Sequence, residues 1–96
     1  MFVGIAKIKI YIGDSYSLKD KRKIRYKIVE RLKNKYNISI MEVEDQDIHR
    51  SLILGISFTH LTESLSEKLI QNIVNFIEEK LGIEIMDIYY EIIKFE

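Results

Sequence analysis

The chain has 96 residues, of which 47% are hydrophobic and 31% charged, and its formal net charge is zero. This length predicts one domain spanning residues 1–96, with a small but sufficient core. The absence of cysteine excludes disulfides, thiolate catalysis and cysteine-based metal sites. No apolar run reaches the roughly 18 residues of a membrane span, and the amino terminus has no signal-peptide pattern. We therefore expect a cytoplasmic protein without membrane contact.

The first half of the chain predicts a strand, a helix and a second strand. Apolar residues alternate with period two over Phe2–Ile12, which is typical of a strand with one fully apolar face. Ser17 followed by Asp20 forms a capping box, so a helix begins just after Ser17 and ends near Asn37. A second strand over Ile38–Glu44 has apolar residues on both faces.

The second half predicts a strand, a helix and a final strand. Alternating apolar residues predict a strand over Ile48–Thr59. A second helix begins after Ser64, or earlier after Thr62, and ends at Gly82 as its carboxyl-terminal cap. The apolar parity shifts within the last strand, over 83–95, which indicates a β-bulge or burial of both faces.

The resulting order is β-α-β-β-α-β, without linkers or repeats. This order is the split βαβ pattern of the ferredoxin-like fold, in the α+β class. Right-handed crossovers place both helices on one face of a four-stranded antiparallel sheet. The other face must then meet water or a partner.

A dense group of cations begins the first helix, where the helix dipole disfavours positive charge. Its foremost members are Lys19, Lys21, Arg22 and Arg25, with Lys23 and Lys27 on the flank. The topology places the acidic turn between strands two and three at the same end of the sheet. Two interpretations stay open: the acidic turn neutralises these cations, or the four foremost cations bind the phosphates of a nucleic acid.

The acidic turn and the histidines indicate neither a metal site nor catalysis. The turn carries Glu42, Glu44, Asp45 and Asp47, with His49 just beyond, and its spacing matches no EF-hand or zinc motif. We interpret it as a polar hairpin turn. His49 and His60 are predicted at opposite ends of the sheet. We therefore expect no enzyme activity, no metal, no cofactor and no small-molecule substrate.

The sheet face without helices carries apolar side chains that a small monomer seldom leaves in water. We assign this face to contact with a second copy, through the side chains of Val3, Ile5, Tyr11 and Ile53. Most of these residues are aliphatic, which suits protein contact better than base stacking. The sequence thus predicts a homodimer.

Two segments carry a resemblance to a known family. The run from Asp14 to Arg22, DSYSLKDKR, resembles the D-S-H-S-L-K-x-K-R signature of the YlxP-like bacterial proteins. The run from Arg31 to Val43 resembles that family's R-L-x-x-x-F-N-V-S-V-A-E-V, and D-Q-D and L-G elements follow. Departures are Gly13 for a usual proline, Tyr16 for histidine and Met41 for alanine.

The resemblance implies a ferredoxin-like domain of unknown function without established catalytic residues. It also implies genomic proximity to transcription and translation factors, which favours an RNA- or ribosome-related role. We therefore expect a non-enzymatic module that binds RNA or a ribonucleoprotein through its basic helix start. The alternative is a protein–protein adaptor or oligomerisation domain that works through its open sheet face or acidic hairpin.

Overall fold

Four strands form one sheet and two helices cover one of its faces, in a computed structural model that describes all 96 residues. The elements are β1 (Phe2–Tyr11), α1 (Leu18–Lys35), β2 (Ser39–Glu44), β3 (Ser51–His60), α2 (Glu63–Asn75) and β4 (Ile85–Lys94). The strands are antiparallel and lie in the order β2-β3-β1-β4. The predicted α+β ferredoxin-like fold is confirmed.

The core lies between the sheet and the two helices. Even-numbered residues of β1 and β3 point into it, because successive side chains of a strand alternate between faces. The fifteen buried apolar residues of this core are Ala6, Ile8, Ile10, Ile12, Ile28, Leu32, Ile40, Leu52, Leu54, Ile56, Phe58, Ile70, Ile73, Phe76 and Ile77. Since α1, α2 and the sheet all contribute to this one cluster, both helices cover the same face.

The third strand starts later than its apolar pattern suggests. We expected it at Ile48, but β3 begins at Ser51 because the preceding segment is a compact turn. The Ile48 N–H donates to the Asp45 carbonyl at 3.0 Å, and the Ser51 N–H donates to the Ile48 carbonyl at 3.3 Å. Asp45 adopts a left-handed conformation with φ of 59°, which aspartate tolerates better than most residues.

The second helix begins at the earlier of its two candidate caps. Thr62 accepts a hydrogen bond from the Leu65 N–H at 3.1 Å through its hydroxyl. The buried Ser66 hydroxyl also donates to the Thr62 carbonyl, at 2.8 Å. Thr62 is therefore the cap, and the other predicted cap, Ser64, is wrong. The helix continues through a π-helical turn at Phe76–Lys80, and Gly82, with φ of 64°, ends it as predicted.

The shift of apolar parity in the last strand is a β-bulge. Lys9 faces Asp87, but the next residue of β1, Ile10, faces Ile85, so Met86 is the extra residue. Because of this bulge, β4 keeps Ile85, Ile88 and Ile92 on the helix-covered face. A second bulge lies in β2, where Val43 is the extra residue between two pairs with β3.

The carboxyl ends of the helices meet through aromatic side chains. Tyr36 and Phe76 pack edge to face, with their ring centres 6.1 Å apart. Burial raises the pKa of Tyr36 above its ordinary value of 10.0. Folding thus favours the neutral phenol, and this contribution to stability falls as the pH rises above 10.0.

Neither helix combines the length and apolar character that a membrane crossing requires.

Gly4 makes room for a buried aromatic ring on the neighbouring strand. Its register partner is Phe58, and a Cβ atom at Gly4 would lie 2.1 Å from the ring's Cζ. We expect Gly4→Ala to displace this ring and lower the free energy of unfolding by about 1–3 kcal/mol. Urea denaturation measures the change.

The matched control is Gly13→Ala. Its new Cβ would meet only the half-exposed Tyr11 ring, at 3.0 Å, and that ring is free to move. A decrease in stability at Gly13 equal to that at Gly4 would contradict the packing role of Gly4.

Candidate basic surface and buried ion cluster

The loop before α1 ends in the predicted capping box. The Ser17 hydroxyl accepts a hydrogen bond from the Asp20 N–H at 3.1 Å. The Asp20 carboxylate reaches back to accept from the Tyr16 N–H, also at 3.1 Å. The box therefore fixes where α1 begins. From that start, the helical period turns positions 21, 24, 25 and 28 inward and positions 19, 22 and 23 outward.

Lys21 lies inside the protein and is only 1% exposed. Its ammonium donates hydrogen bonds to the carbonyl oxygens of Asp45 and Ile48, the latter at 2.9 Å. The same nitrogen lies 2.7 Å from Oε2 of Glu42. A lysine of the first helix thus holds the turn between β2 and β3 from within.

Glu42 is shared between two cations of α1. Its Oε1 accepts a hydrogen bond from Arg25 Nη1 at 2.9 Å. Its buried Oε2 has no aligned hydrogen-bond donor, so the nearby Lys21 ammonium stabilises it by charge alone. Glu42, Lys21 and Arg25 form what we call the buried ion cluster, which neutralises part of the basic helix start as one of the two interpretations requires.

The other acidic side chains of the turn point in different directions. Asp45 accepts a hydrogen bond from the Ser51 hydroxyl at 2.7 Å. Glu44 pairs with Lys7 on the open sheet face at 2.8 Å. Nowhere in the protein do three His, Asp or Glu side chains meet as a metal ion would require. The acidic residues of the turn therefore make separate contacts instead of forming one shared site.

Four cations near the start of α1 have no acidic partner. The protein has four ion pairs, formed by Lys7, Lys21, Arg25 and Lys94 with glutamates. The exposed cations in this part of the helix that have no carboxylate within 4.0 Å are Lys19, Arg22, Lys23 and Lys27. We call these four residues the basic surface.

Two exposed tyrosines border the basic surface, and sequence reasoning missed both. Tyr26 is 67% exposed and lies one helical turn beyond Arg22. Tyr16 is 71% exposed, and the Arg50 guanidinium lies 5.1 Å from its ring centre. Arg50 is held in place because its Nε donates to the Ser15 carbonyl at 3.1 Å. The spacing of Tyr26 from Arg22 on a helix was the signal that could have found it.

The open sheet face differs from its prediction at one residue. Ile5 and Tyr11 are each 45% exposed and Val3 is half-buried, but Ile53 is only 7% exposed. Ile53 therefore has little surface to offer a partner.

Side chains of β2 and β4 supply the exposed apolar surface instead. Met41, Val43 and Tyr89 are exposed beside Ile5 around a shallow depression of about 500 Å³. Gly55 forms part of its floor, and a Cβ there would lie 2.6 Å from Val43 Cγ1. Ordinary alternation places these side chains on the open face, but the sequence did not single them out because β2 and β4 both have apolar residues on both faces.

The fold defines the class: a small α+β protein with ferredoxin-like topology, an ion cluster under the first helix and a basic surface above it. The chain matches the family described as "Protein of unknown function (DUF503)" over residues 3–90, and it belongs to that family. It is 34% identical over 82 residues to "Uncharacterized protein YlxP" of Bacillus subtilis (strain 168), covering 85% of this chain and 89% of the relative. The resemblance to YlxP-like proteins is confirmed.

A periplasmic domain of known structure aligns with most of this chain at low sequence identity. The solution structure of the SecDF periplasmic domain P4 aligns with a TM-score of 0.44 and 8% identity. The alignment covers 95% of this chain and 88% of that domain.

We expect Lys21→Met to destabilise the protein strongly. The substitution leaves Glu42 buried with one cation and removes a donor from two carbonyl groups. Breaking one partner of a buried pair costs about 3–5 kcal/mol. The free energy of unfolding, measured by urea denaturation, should fall by that amount.

Two variants test whether the loss of stability comes from the buried Lys21–Glu42 pair or from the removal of any lysine in this part of the helix. Lys21→Met combined with Glu42→Met should be less destabilised than Lys21→Met alone, because no unpaired buried carboxylate remains. The exposed Lys19→Met should change stability by no more than about 0.5 kcal/mol. Equal destabilisation of the Lys19 and Lys21 variants would contradict the buried role.

Proposed function

We propose that this protein is a non-enzymatic module that binds RNA or a ribonucleoprotein through the basic surface. One observation carries the proposal: Lys19, Arg22, Lys23 and Lys27 are exposed without acidic partners, although the neighbouring Lys21 and Arg25 are neutralised. Cations near the start of a helix oppose the helix dipole. A bound phosphate would compensate both the cations and the dipole.

The proposed contacts differ from the four residues expected from the sequence. Lys19 and Arg22 remain proposed contacts, and Lys23 and Lys27, which the sequence placed on the flank, join them. Lys21 is omitted because its ammonium is buried and already has its partners. Arg25 is a partial contributor, since its side chain is 38% exposed and one of its terminal nitrogens binds Glu42.

The two exposed tyrosines favour RNA over a simple anion. Aromatic side chains beside a basic surface stack on unpaired bases, at about 1–3 kcal/mol per base. Tyr16 and Tyr26 provide such rings within reach of the cations. The genomic proximity of YlxP-like proteins to transcription and translation factors supports the same role.

We expect the affinity for a single-stranded RNA to fall with salt and to depend on the basic surface. Each neutralised phosphate contributes about 0.7 to the slope of log affinity against log salt. Lys19→Gln with Arg22→Gln should therefore weaken binding and lower the slope by about 0.7 for each phosphate that is no longer neutralised. Fluorescence anisotropy with a labelled oligonucleotide across a salt series measures both quantities.

The control is Lys68→Gln with Lys80→Gln, which removes the same charge from exposed positions of the second helical segment. This variant should keep the parent affinity and slope. RNA binding that is undetectable at low salt, or equal weakening by the two double variants, would refute the proposal.

The second candidate is an adaptor role, in which a protein partner covers the open sheet face. Its supporting observation is the exposed apolar group of Ile5, Met41, Val43 and Tyr89 around one depression. A single Lys7–Glu44 pair lies beside it and would give a partner a polar anchor. The homodimer predicted on this face through Val3, Ile5, Tyr11 and Ile53 is one form of this candidate.

If a second copy covers this face, Ile5→Arg should shift the protein towards monomer, because it places a charge in an apolar interface. Sedimentation equilibrium at high micromolar concentration measures the mass. Leu61→Arg is the matched control, since Leu61 is 81% exposed in the short loop between β3 and α2. An unchanged dimer in the Ile5 variant would exclude the open face as the dimer interface.

A further inference from the structure

The outer edge of β4 is the longest unpaired edge in the protein. The strand order places β2 and β4 at the two edges of the sheet. The β2 strand has six residues and a bulge, whereas β4 has ten residues. Exposed edges invite pairing with another strand unless proline, charge or a bulge blocks them.

Two hydrogen bonds identify the backbone groups that face outward from β4. The Phe95 N–H donates to the Met1 carbonyl at 2.8 Å, so odd-numbered residues beyond the bulge face β1. The Ile88 N–H instead donates to the carboxylate of its own neighbour, Asp87, at 2.9 Å. Since donors alternate along an antiparallel strand, Ile88 and the even-numbered residues after it face outward.

Most of the protection of this edge lies in its first residues, and one charged side chain, Lys94, lies at its far end. The bulge at Met86 interrupts the strand there, and the Asp87 carboxylate covers the Ile88 N–H. Beyond that point the outward residues are Tyr90, Ile92 and Lys94, and the protein contains no proline to block them. A second strand would find unpaired donors and acceptors from the middle of β4 to its end.

We propose that β4 pairs with β4 of a second copy, antiparallel and with the two-fold axis at Tyr90. Ile88 of one copy then lies opposite Ile92 of the other, and Tyr90 lies opposite itself. Both side chains of each pair point to the same sheet face, as antiparallel pairing requires. About four backbone hydrogen bonds would join the copies, and two more would form if each Ile88 N–H exchanged the Asp87 carboxylate for the opposite Ile92 carbonyl.

The charges of β4 select this register over its neighbours. An axis at Tyr89 would place Asp87 opposite Glu91 twice, and an axis at Glu91 would place Glu91 opposite itself. Like charges directly opposite each other disfavour pairing. With the axis at Tyr90, Asp87 faces Ile93 and Glu91 faces Tyr89, so no like charges meet.

The pairing would join two four-stranded sheets into one. Both helical layers would lie on the same side, and the two open faces would form a continuous surface on the other. Tyr90, which is 41% exposed, would gain its own counterpart as a neighbour. This interface is distinct from the open face and from the basic surface, so its test is independent of the proposed function.

The first test is a cysteine at the self-paired position. The chain has no cysteine, so Tyr90→Cys carries a single thiol. Hydrogen-bonded partners have Cα atoms about 5.5 Å apart, within the range of a disulfide. Mild oxidation should therefore give a covalent dimer. Tyr89→Cys is the control, because its thiol would face Glu91 and lie more than about 7 Å from its counterpart.

The second test is the mass in solution. The parent should have twice the monomer mass of 11.4 kDa at high micromolar concentration. Tyr90→Lys should be monomeric because it opposes two cations, whereas Tyr90→Thr and Ile5→Arg should stay dimeric. A monomeric parent, dissociation by Ile5→Arg, or equal cross-linking of the Tyr89 and Tyr90 variants would overturn the proposal.

Discussion

The Lys21 ammonium makes the interaction on which the arrangement of the first helix, the turn between β2 and β3 and the exposed cations depends. It leaves α1, enters the turn between β2 and β3, and binds two carbonyl groups and the Glu42 carboxylate there. Burial of an isolated ammonium is costly, so such a group is found only with partners in place. The left-handed conformation of Asp45 and the late start of β3 belong to the compact turn that supplies those partners.

This interaction also divides the cations of α1 into two groups. The inward group, Lys21 and Arg25, shares the charge of Glu42 and joins the helix to the sheet. The outward group has no acidic partner and forms the basic surface. Paired inward cations and unpaired outward cations therefore alternate along one helix, because its 3.6-residue period separates neighbours in the chain onto different faces.

The sheet distributes its remaining surface unevenly. One face is filled by the helices, the open face carries a mixed apolar and charged surface, and the two edges differ in length and protection. Glycines contribute to both faces, since Gly4 accommodates the buried Phe58 ring and Gly55 lies under Val43. The short, bulged β2 and the long β4 make the two edges unequal as sites for strand pairing.

Local sequence determined the order of the elements, the first helix cap, the end of the second helix and the parity shift that marks the bulge in β4. These features depend on residues a few positions apart, so periodicity and capping patterns report them directly. The signature segments, rather than these local patterns, indicated the family.

Only the tertiary structure decided which cations are buried, which apolar residues are exposed and where β3 begins. Lys21 lies three residues before Ile24 and seven before Ile28, on the apolar stripe of α1, but its charge suggested an exposed position. Its burial depends on Glu42 and the carbonyl groups of a turn more than twenty residues away. Ile53 lies on the open face as its alternation predicts, but it is buried there because the bulge in β2 pairs it with Glu44 while Lys9 lies opposite it on β1.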